Sequence, residues 1–163
     1  MTVDAAVSSL IIGVRCTHGH FNDPKVPYCS VCGISMIQRT RVPVPGPRPP
    51  LGVLTLDDGS VYPLRRGYVL GRQPERDQLV RLGRADPLTL ADPTVSRIHA
   101  RMLANGWDLV LADAGSINGT RICPAGGDRW SPVPAGRAGI RLAPGSRVTV
   151  GAHEIRYDSY RNP

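Results

Sequence analysis

Ser96, Arg97 and His99 stand close together in the stretch TVSRIHARM, beside an alternating run that predicts a β-strand. A serine nucleophile needs a base within hydrogen-bond reach and a third group that orients this base. On a strand, Ser96 and His99 differ by an odd number of positions, so their side chains point to opposite faces. The Gly-x-Ser-x-Gly turn of hydrolases is absent from the sequence. We therefore expect no catalytic dyad here and no enzymatic activity.

Two other polar stretches could join this one to form an anion-binding pocket. Gly71-Arg72 ends a strand in YVLGRQPE, and Asn118-Gly119 lies in the connection DAGSINGT. An arginine fork suits phosphate oxygens, and a serine hydroxyl with neighbouring backbone N–H groups can complete the site. An asparagine amide can hold a peptide main chain. The alternative is structural: the glycine pairs are only turns, and Ser96 caps a strand end.

Short strands, rather than helices, are expected to position these loops. The 163 residues include 18 Gly and 16 Pro, and no stretch of ten residues has helical apolar spacing. Favoured turn pairs occur at Asp58-Gly59, Asn105-Gly106 and Pro144-Gly145, each between short apolar runs. Regular short strands with turns between them predict an all-β sandwich or barrel.

Three motifs follow one another in this short-stranded chain: Gly-Arg at 71–72, Ser-x-x-His at 96–99 and Asn-Gly-Thr at 118–120. In that order they resemble a forkhead-associated (FHA) domain. The resemblance covers roughly residues 51 to 159. It implies a β-sandwich of about eleven short strands that binds phosphothreonine peptides through loops at one end.

The resemblance also implies a role for each matched residue. Arg72 would contact the phosphate or the nearby peptide backbone, Ser96 would bond a phosphate oxygen, and Arg97 would hold the phosphate or the peptide main chain. Asn118 would fix the peptide backbone just after the phosphothreonine.

Three further residues would support those contacts. His99 would pin the binding loops by hydrogen bonds, in agreement with its placement on the face opposite Ser96. Gly71 and Gly119 would permit the loop conformations.

This sequence departs from the family pattern in two places. Many members have Ser or Thr just before the asparagine as an extra phosphate contact, whereas this chain has Ile117, whose backbone N–H could take over that contact. The 23 residues between Arg72 and Ser96 are also longer than usual, and they contain a second Gly-Arg pair that makes Arg84 an alternative to Arg72. Asp113, just before AGSINGT, is expected to form a turn.

A second group of chemically capable residues lies near the N-terminus, in CTHGHFNDPKVPYCSVCG. Cys-x-x-Cys followed by Gly is typical of a zinc knuckle, and four nitrogen or sulfur ligands close a tetrahedral structural site. We predict a structural zinc ion held by Cys16, His20, Cys29 and Cys32, with His18 as the alternative fourth ligand. Three thiolates and one imidazole leave no open position for catalysis.

Other interpretations of the cysteines are weaker. A disulfide is disfavoured by the odd number of cysteines in the cluster, and a redox dithiol by the lack of a βαβ pattern. So small a segment cannot fold on its own apolar burial, so the metal would supply its stability. Cys123 is expected to pack in the core.

The composition divides the chain into three parts. We predict a zinc-ribbon-like segment over residues 14–36, a Pro-rich linker over 37–50 and an FHA domain over 51–159. The linker contains RTRVPVPGPRPP, with five prolines in twelve residues, which favours an extended polyproline II spacer. The apolar stretch before residue 14 is too short to span a bilayer and lacks the features of a secretory signal, so we expect a short strand or a disordered lead there, and a cytoplasmic protein.

The net charge of +7 permits a polyanionic partner without requiring one. The first 50 residues have five Lys or Arg against two Asp or Glu, and the rest have fifteen against eleven, so the excess is spread out. The expected partner is a phosphothreonine-containing protein: a substrate of a Ser/Thr kinase, or the kinase itself. A nucleic-acid-binding protein is one alternative, disfavoured because only Phe21 and Tyr28 offer stacking near the cysteines. A phosphate-independent scaffold is the other.

Overall fold

The computed structural model of the chain describes residues 10–37, 41–136 and 138–161. The chain divides into two compact units: Met1–Pro49 with Arg161–Pro163, and Pro50–Tyr160. No helix of the described residues is long and apolar enough to span a bilayer.

The N-terminal unit is built on a three-stranded antiparallel sheet. The strands are β1 (Leu10–Arg15), β2 (Phe21–Asn22) and β3 (Val44–Pro47), in the spatial order β2-β1-β3. The expected short strand is therefore present over 10–15, while residues 1–9 lie outside the described residues. The buried cluster of this unit is small, as the composition predicts, and it consists of Val14, Cys16, Val26, Cys29 and Met36.

The Pro-rich segment differs from the sequence expectation, because part of it is a strand rather than a spacer. Val44–Pro47 pairs antiparallel with residues 10–13 of β1. Successive N–H groups of a strand point to opposite sides, so the alternating prolines at 43, 45 and 47 all lack a donor on the same side. That side is the outer edge of the sheet, where a missing donor costs nothing.

The second unit is a β-sandwich, and its described residues contain eleven strands, the number that the resemblance implies. Their bounds are β4 (Gly52–Leu56), β5 (Val61–Pro63), β6 (Gly67–Gly71), β7 (Asp86–Thr89), β8 (Ala100–Asn105), β9 (Asp108–Asp113), β10 (Thr120–Cys123), β11 (Ser131–Pro132), β12 (Ile140–Leu142), β13 (Arg147–Val150) and β14 (His153–Ser159). The only helical turns described are a 3-10 turn (Pro74–Arg76) and α1 (Gln78–Arg81).

These strands form two sheets. One has the order β11-β10-β13-β14-β4-β5, and the other has the order β12-β9-β8-β6-β7. All the paired strands are antiparallel except β6 and β7. Period-two alternation drives the packing: Leu54 and Ile155 of one sheet and Met102 and Leu111 of the other are fully buried in a single core. Cys123 is fully buried, as predicted.

The predicted turns join strands as expected, with one shift. Asp58-Gly59 connects β4 to β5. The β8–β9 hairpin turns at Gly106-Trp107 rather than at Asn105-Gly106, because Asn105 pairs with Asp108. Pro144-Gly145 connects β12 to β13 and thereby passes from one sheet to the other.

The end of β6 lies very close to the segment that precedes β8. A Cβ atom at Gly71 would lie 2.1 Å from the carbonyl oxygen of Arg97, a distance that no side chain tolerates. Glycine is therefore required here by contact, not by an unusual backbone conformation.

We expect Gly71→Ala to lower the free energy of unfolding of the second unit by about 3 kcal/mol, because two backbone segments must separate. Gly59→Ala is the control: its Cβ meets nothing within 4 Å, so only the left-handed backbone cost of about 1 kcal/mol applies. Urea unfolding followed by the fluorescence of Trp107 and Trp130 measures both values. Equal losses for the two variants would contradict the close approach.

Candidate functional site

Three loops of the second unit meet at one end of the sandwich. They are the residues after β6, the residues before β8 and the connection between β9 and β10. The backbone N–H of Arg72 donates to the carbonyl of Ser96 at 3.0 Å, and that of Gln73 donates to the carbonyl of Arg97 at 2.9 Å. The side-chain amide of Asn118 donates to the carbonyl of Thr94 at 2.8 Å. The structure thus brings together the predicted residues from all three motifs.

Ser96 lies at the centre of this arrangement. Its half-buried Oγ accepts a hydrogen bond from the backbone N–H of Ile117 at 3.0 Å. A hydroxyl that accepts from a backbone N–H still has its own proton to donate. The Ile117 contact therefore fixes the oxygen and leaves the O–H group for an incoming acceptor.

Two arginines supply positive charge beside this hydroxyl. The Nε of Arg72 donates to the carbonyl of Val95 at 2.6 Å, which places its guanidinium next to Ser96. Arg97 is exposed and follows Ser96 directly in the chain. Among the described residues, no carboxylate forms an ion pair with either guanidinium. The site therefore carries uncompensated positive charge.

His99 connects two of the loops from beneath. It is fully buried, and its Nδ1 accepts from the backbone N–H of Ser96 at 3.1 Å. A backbone N–H can only donate, so the ring proton is on Nε2, which donates to the carbonyl of Gly119 at 2.9 Å. Gly119 has a φ of 76°, a left-handed conformation that favours glycine.

Asp113 organises the third loop, in line with its expected role as a turn former. Its carboxylate accepts hydrogen bonds from the backbone N–H groups of Gly115 and Ser116 and from the hydroxyls of Ser116 and Thr120, at 2.6 to 2.8 Å. Burial raises the pKa of Asp113, but these four donors outweigh burial and hold the pKa below its usual value. The carboxylate thus stays charged and keeps the loop folded.

The two departures from the family pattern have clear structural positions. The side chain of Ile117 is 91% exposed beside Ser96, so only its backbone contributes to the hydroxyl geometry. Arg84 precedes β7, and β7 runs parallel to β6 with Asp86 beside Tyr68. Arg84 therefore lies near the beginning of β6, at the opposite end of the sheet from Arg72.

The N-terminal unit brings the predicted metal ligands together. The ligand atoms of Cys16, His20, Cys29 and Cys32 all lie within 4.8 Å of one another, close enough to hold a metal ion. The Nδ1 of His20 is 3.5 Å from the sulfur of Cys16 and 3.6 Å from that of Cys29, and the sulfurs of Cys16 and Cys32 are 3.9 Å apart. Zn–S bonds of about 2.3 Å and Zn–N bonds of about 2.0 Å at tetrahedral angles separate ligand atoms by about 3.5 to 3.8 Å.

His18 is placed outside this set of four. Its Nδ1 is 3.3 Å from the sulfur of Cys32, at hydrogen-bond distance. Of the two candidate histidines, only His20 therefore approaches two of the cysteine sulfurs.

Donors around Cys29 favour its thiolate. Burial raises the pKa of Cys29, but the backbone N–H groups of Cys32 and Val31 and the side-chain amide of Asn22 donate to its sulfur and lower the pKa to about 6. Sequence reasoning missed Asn22, which is buried and also bonds the carbonyl of His20 and the N–H of Ser30. No sequence signal distinguishes it from an ordinary turn residue.

Comparisons with known proteins agree with the fold. The solved structure of the Rv0020c FHA domain is 31% identical, covers 68% of this chain and 94% of its own, and has a TM-score of 0.45. A structure from an analysis of phosphothreonine-dependent FHA domain interactions is 28% identical, with 69% and 98% covered and a TM-score of 0.45. The solution structure of the FHA domain of an Arabidopsis thaliana hypothetical protein is 18% identical, with 72% and 96% covered and a TM-score of 0.50.

The comparison with curated proteins gives no match to this sequence. The family model of the FHA domain matches residues 68–151, which include all three loops of the site and about half of the chain. By this match, the chain belongs to the FHA domain family.

Proposed function

We propose that this chain is a phosphothreonine-binding adaptor, with Ser96 and the two guanidiniums beside it as the phosphate site. The observation that carries the proposal is the Ser96 hydroxyl, which is held by the N–H of Ile117 and flanked by two arginines that no described carboxylate neutralises. FHA domains are protein-interaction modules rather than enzymes. The partner is a protein phosphorylated by a Ser/Thr kinase, or the kinase itself.

The chemistry of the site suits a phosphate monoester. A phosphothreonine carries a charge of about −1.5 to −2 and three acceptor oxygens at neutral pH. Arg72 and Arg97 supply the charge and the donors, and the O–H of Ser96 donates to one oxygen. An unphosphorylated threonine offers no anion to these donors, so its peptide binds far more weakly.

Asn118 would hold the peptide main chain next to the phosphate. Its Nδ2 is already used by the carbonyl of Thr94, which fixes the direction of the amide. The amide oxygen can then accept the N–H of the residue after the phosphothreonine. His99 and Gly119 keep this loop in place without touching the peptide.

Loss of either phosphate contact should strongly weaken phosphate-dependent capture. We expect Arg72→Ala and Ser96→Ala each to weaken binding of a degenerate phosphothreonine peptide library by about tenfold or more, because a charge-assisted hydrogen bond is lost. Calorimetry with the phosphorylated and unphosphorylated libraries measures the effect. Arg84→Ala, at the other end of the sheet, is the matched control and should bind normally. Equal affinity of the unchanged protein for both libraries would refute the proposal.

The isoleucine before Asn118 offers a gain-of-function test. We expect Ile117→Thr to tighten phosphothreonine binding about three- to tenfold, because the new hydroxyl adds one donor to the phosphate. Ile117→Val has nearly the same shape without the hydroxyl and should leave the affinity unchanged. An equal gain in the two variants, or no gain in Ile117→Thr, would contradict the placement of Ile117 beside the phosphate.

We further propose that the cysteine cluster of the N-terminal unit binds a structural zinc ion. The support is that the four ligand atoms lie within 4.8 Å of one another and that three of their separations, 3.5 to 3.9 Å, are close to those of a tetrahedral site. Three donors also stabilise the Cys29 thiolate. His20 would bind through Nδ1, and His18 would hydrogen-bond the Cys32 sulfur from outside. The small buried cluster of this unit would then depend on the metal for its stability.

Metal analysis of the purified chain should give about one zinc ion per molecule. Cys29→Ser and His20→Ala should lose the ion, because each removes a ligand. His18→Ala and Cys123→Ser should retain it and are the matched controls. Loss of zinc in His18→Ala with retention in His20→Ala would reverse the ligand assignment, and absence of zinc from protein purified without chelator would refute it.

A further inference from the structure

A groove of about 530 Å³ lies on the outer face of the five-stranded sheet, on the side away from the core. Its floor is formed by Leu103 of β8 and Val110 of β9, which are directly paired across the two strands. Their chain neighbours Met102 and Leu111 are fully buried in the core, so Leu103 and Val110 point outward. Both are half-buried, and they present apolar surface to a partner.

One wall of the groove is made by the insert between Arg72 and Ser96. Asp77 caps the N-terminus of α1 by accepting from the N–H of Leu79 at 2.8 Å. The same carboxylate receives both the Nε and an Nη of Arg101, at 3.0 and 2.6 Å. Asp77 is almost fully buried, so this ion pair fixes the wall rigidly on β8.

The charge at the groove is positive. Its lining contains a single acidic residue, Asp77, and Arg101 neutralises it. Arg76 remains as an exposed cation on the rim, and no described carboxylate forms an ion pair with it. An apolar floor with a basic rim is complementary to apolar side chains that are flanked by acidic ones.

The groove also adjoins the phosphate site. Ile98, which lines the groove, directly follows Arg97, whose carbonyl accepts the N–H of Gln73 at 2.9 Å. Leu103 follows Ser96 by seven residues, so an extended chain of about 24 Å is the longest path between them. A peptide anchored at Ser96 therefore reaches the groove floor with about seven further residues.

We propose that this groove binds a second segment of the phosphorylated partner, with one or two large apolar side chains beside Asp or Glu. The segment lies about five to eight residues from the phosphothreonine in the same chain. The proposal rests on the proposed function, and it adds a second anchor that selects among phosphorylated proteins. Because both anchors are on one chain, binding at the first raises the local concentration of the second.

Two degenerate phosphothreonine libraries test the groove on the full chain. One has four random residues on each side of the phosphothreonine, and the other has ten. We expect the long library to yield peptides with an apolar–acidic cluster at a constant distance in sequence from the phosphothreonine. These peptides should bind about tenfold more tightly than those of the short library, because burying one apolar side chain contributes about that much. Leu103→Glu should remove this gain and leave short-library binding unchanged.

Two further variants sharpen the test. Arg76→Glu should remove the preference for acidic residues while the apolar preference persists. Val61→Glu is the matched control, because Val61 is an exposed apolar residue on the other sheet, and this variant should behave like the unchanged protein. Thermal unfolding verifies that all the variants are folded.

A gain that persists in Leu103→Glu, or equal binding of the two libraries, would overturn the proposal. Sedimentation gives a further contrary outcome: the unchanged protein is a dimer and Leu103→Glu is a monomer. The groove would then hold a second copy of the chain. If peptide capture does not depend on phosphate, only the proposed function fails. The groove is still tested, because binding of the long library to the unchanged protein and to Leu103→Glu can be compared.

Discussion

The proposed phosphate site depends on the buried imidazole of His99. Its Nδ1 holds the backbone of Ser96, and its Nε2 holds the carbonyl of Gly119, so one ring fixes the distance between two loops that are distant in the chain. Because the ring is fully buried, it holds both loops without competition from water. A single serine hydroxyl contributes well to ligand binding only when its position is fixed before the ligand arrives. The rigidity of the site therefore comes partly from beneath it, in addition to the bonds by which Ser96 and Asn118 join the same two loops.

The sequence predicted the members of the site but not the bonds that join them. The order of the three motifs was sufficient to predict that the loops of Arg72, Ser96 and Asn118 meet, because a sandwich brings such loops to one end. The sequence predicted a strand that carries Ser96 and His99 on opposite faces, whereas β8 begins only at Ala100 and both residues lie in the preceding loop. The partner of His99 at Gly119 could not be derived, since it depends on tertiary packing between segments twenty residues apart.

Local sequence patterns did not predict the structure correctly where pairing between strands determines it. Two Gly-Arg pairs were possible in the sequence, and only the parallel pairing of β6 with β7 shows that Arg84 and Arg72 lie at opposite ends of the sheet. The Pro-rich segment 44–47 is an edge strand because its alternating prolines all lack N–H donors on one side only. Composition alone does not reveal this alternation. In the N-terminal unit, the cysteine spacing predicted the cluster, but the supporting amide of Asn22 has no sequence signature.

The fold leaves the positive charge of the site uncancelled. Among the described residues, Arg101, Arg141 and Arg147, for example, each form an ion pair with a carboxylate. Arg72 and Arg97 form none with a described carboxylate, so both charges are available where the loops converge. A diffuse excess would attract any polyanion, whereas two guanidiniums beside one oriented hydroxyl favour a compact, doubly charged group. In the proposed function, a preference for phosphate thus follows from two guanidiniums, which no described carboxylate neutralises, beside one oriented hydroxyl.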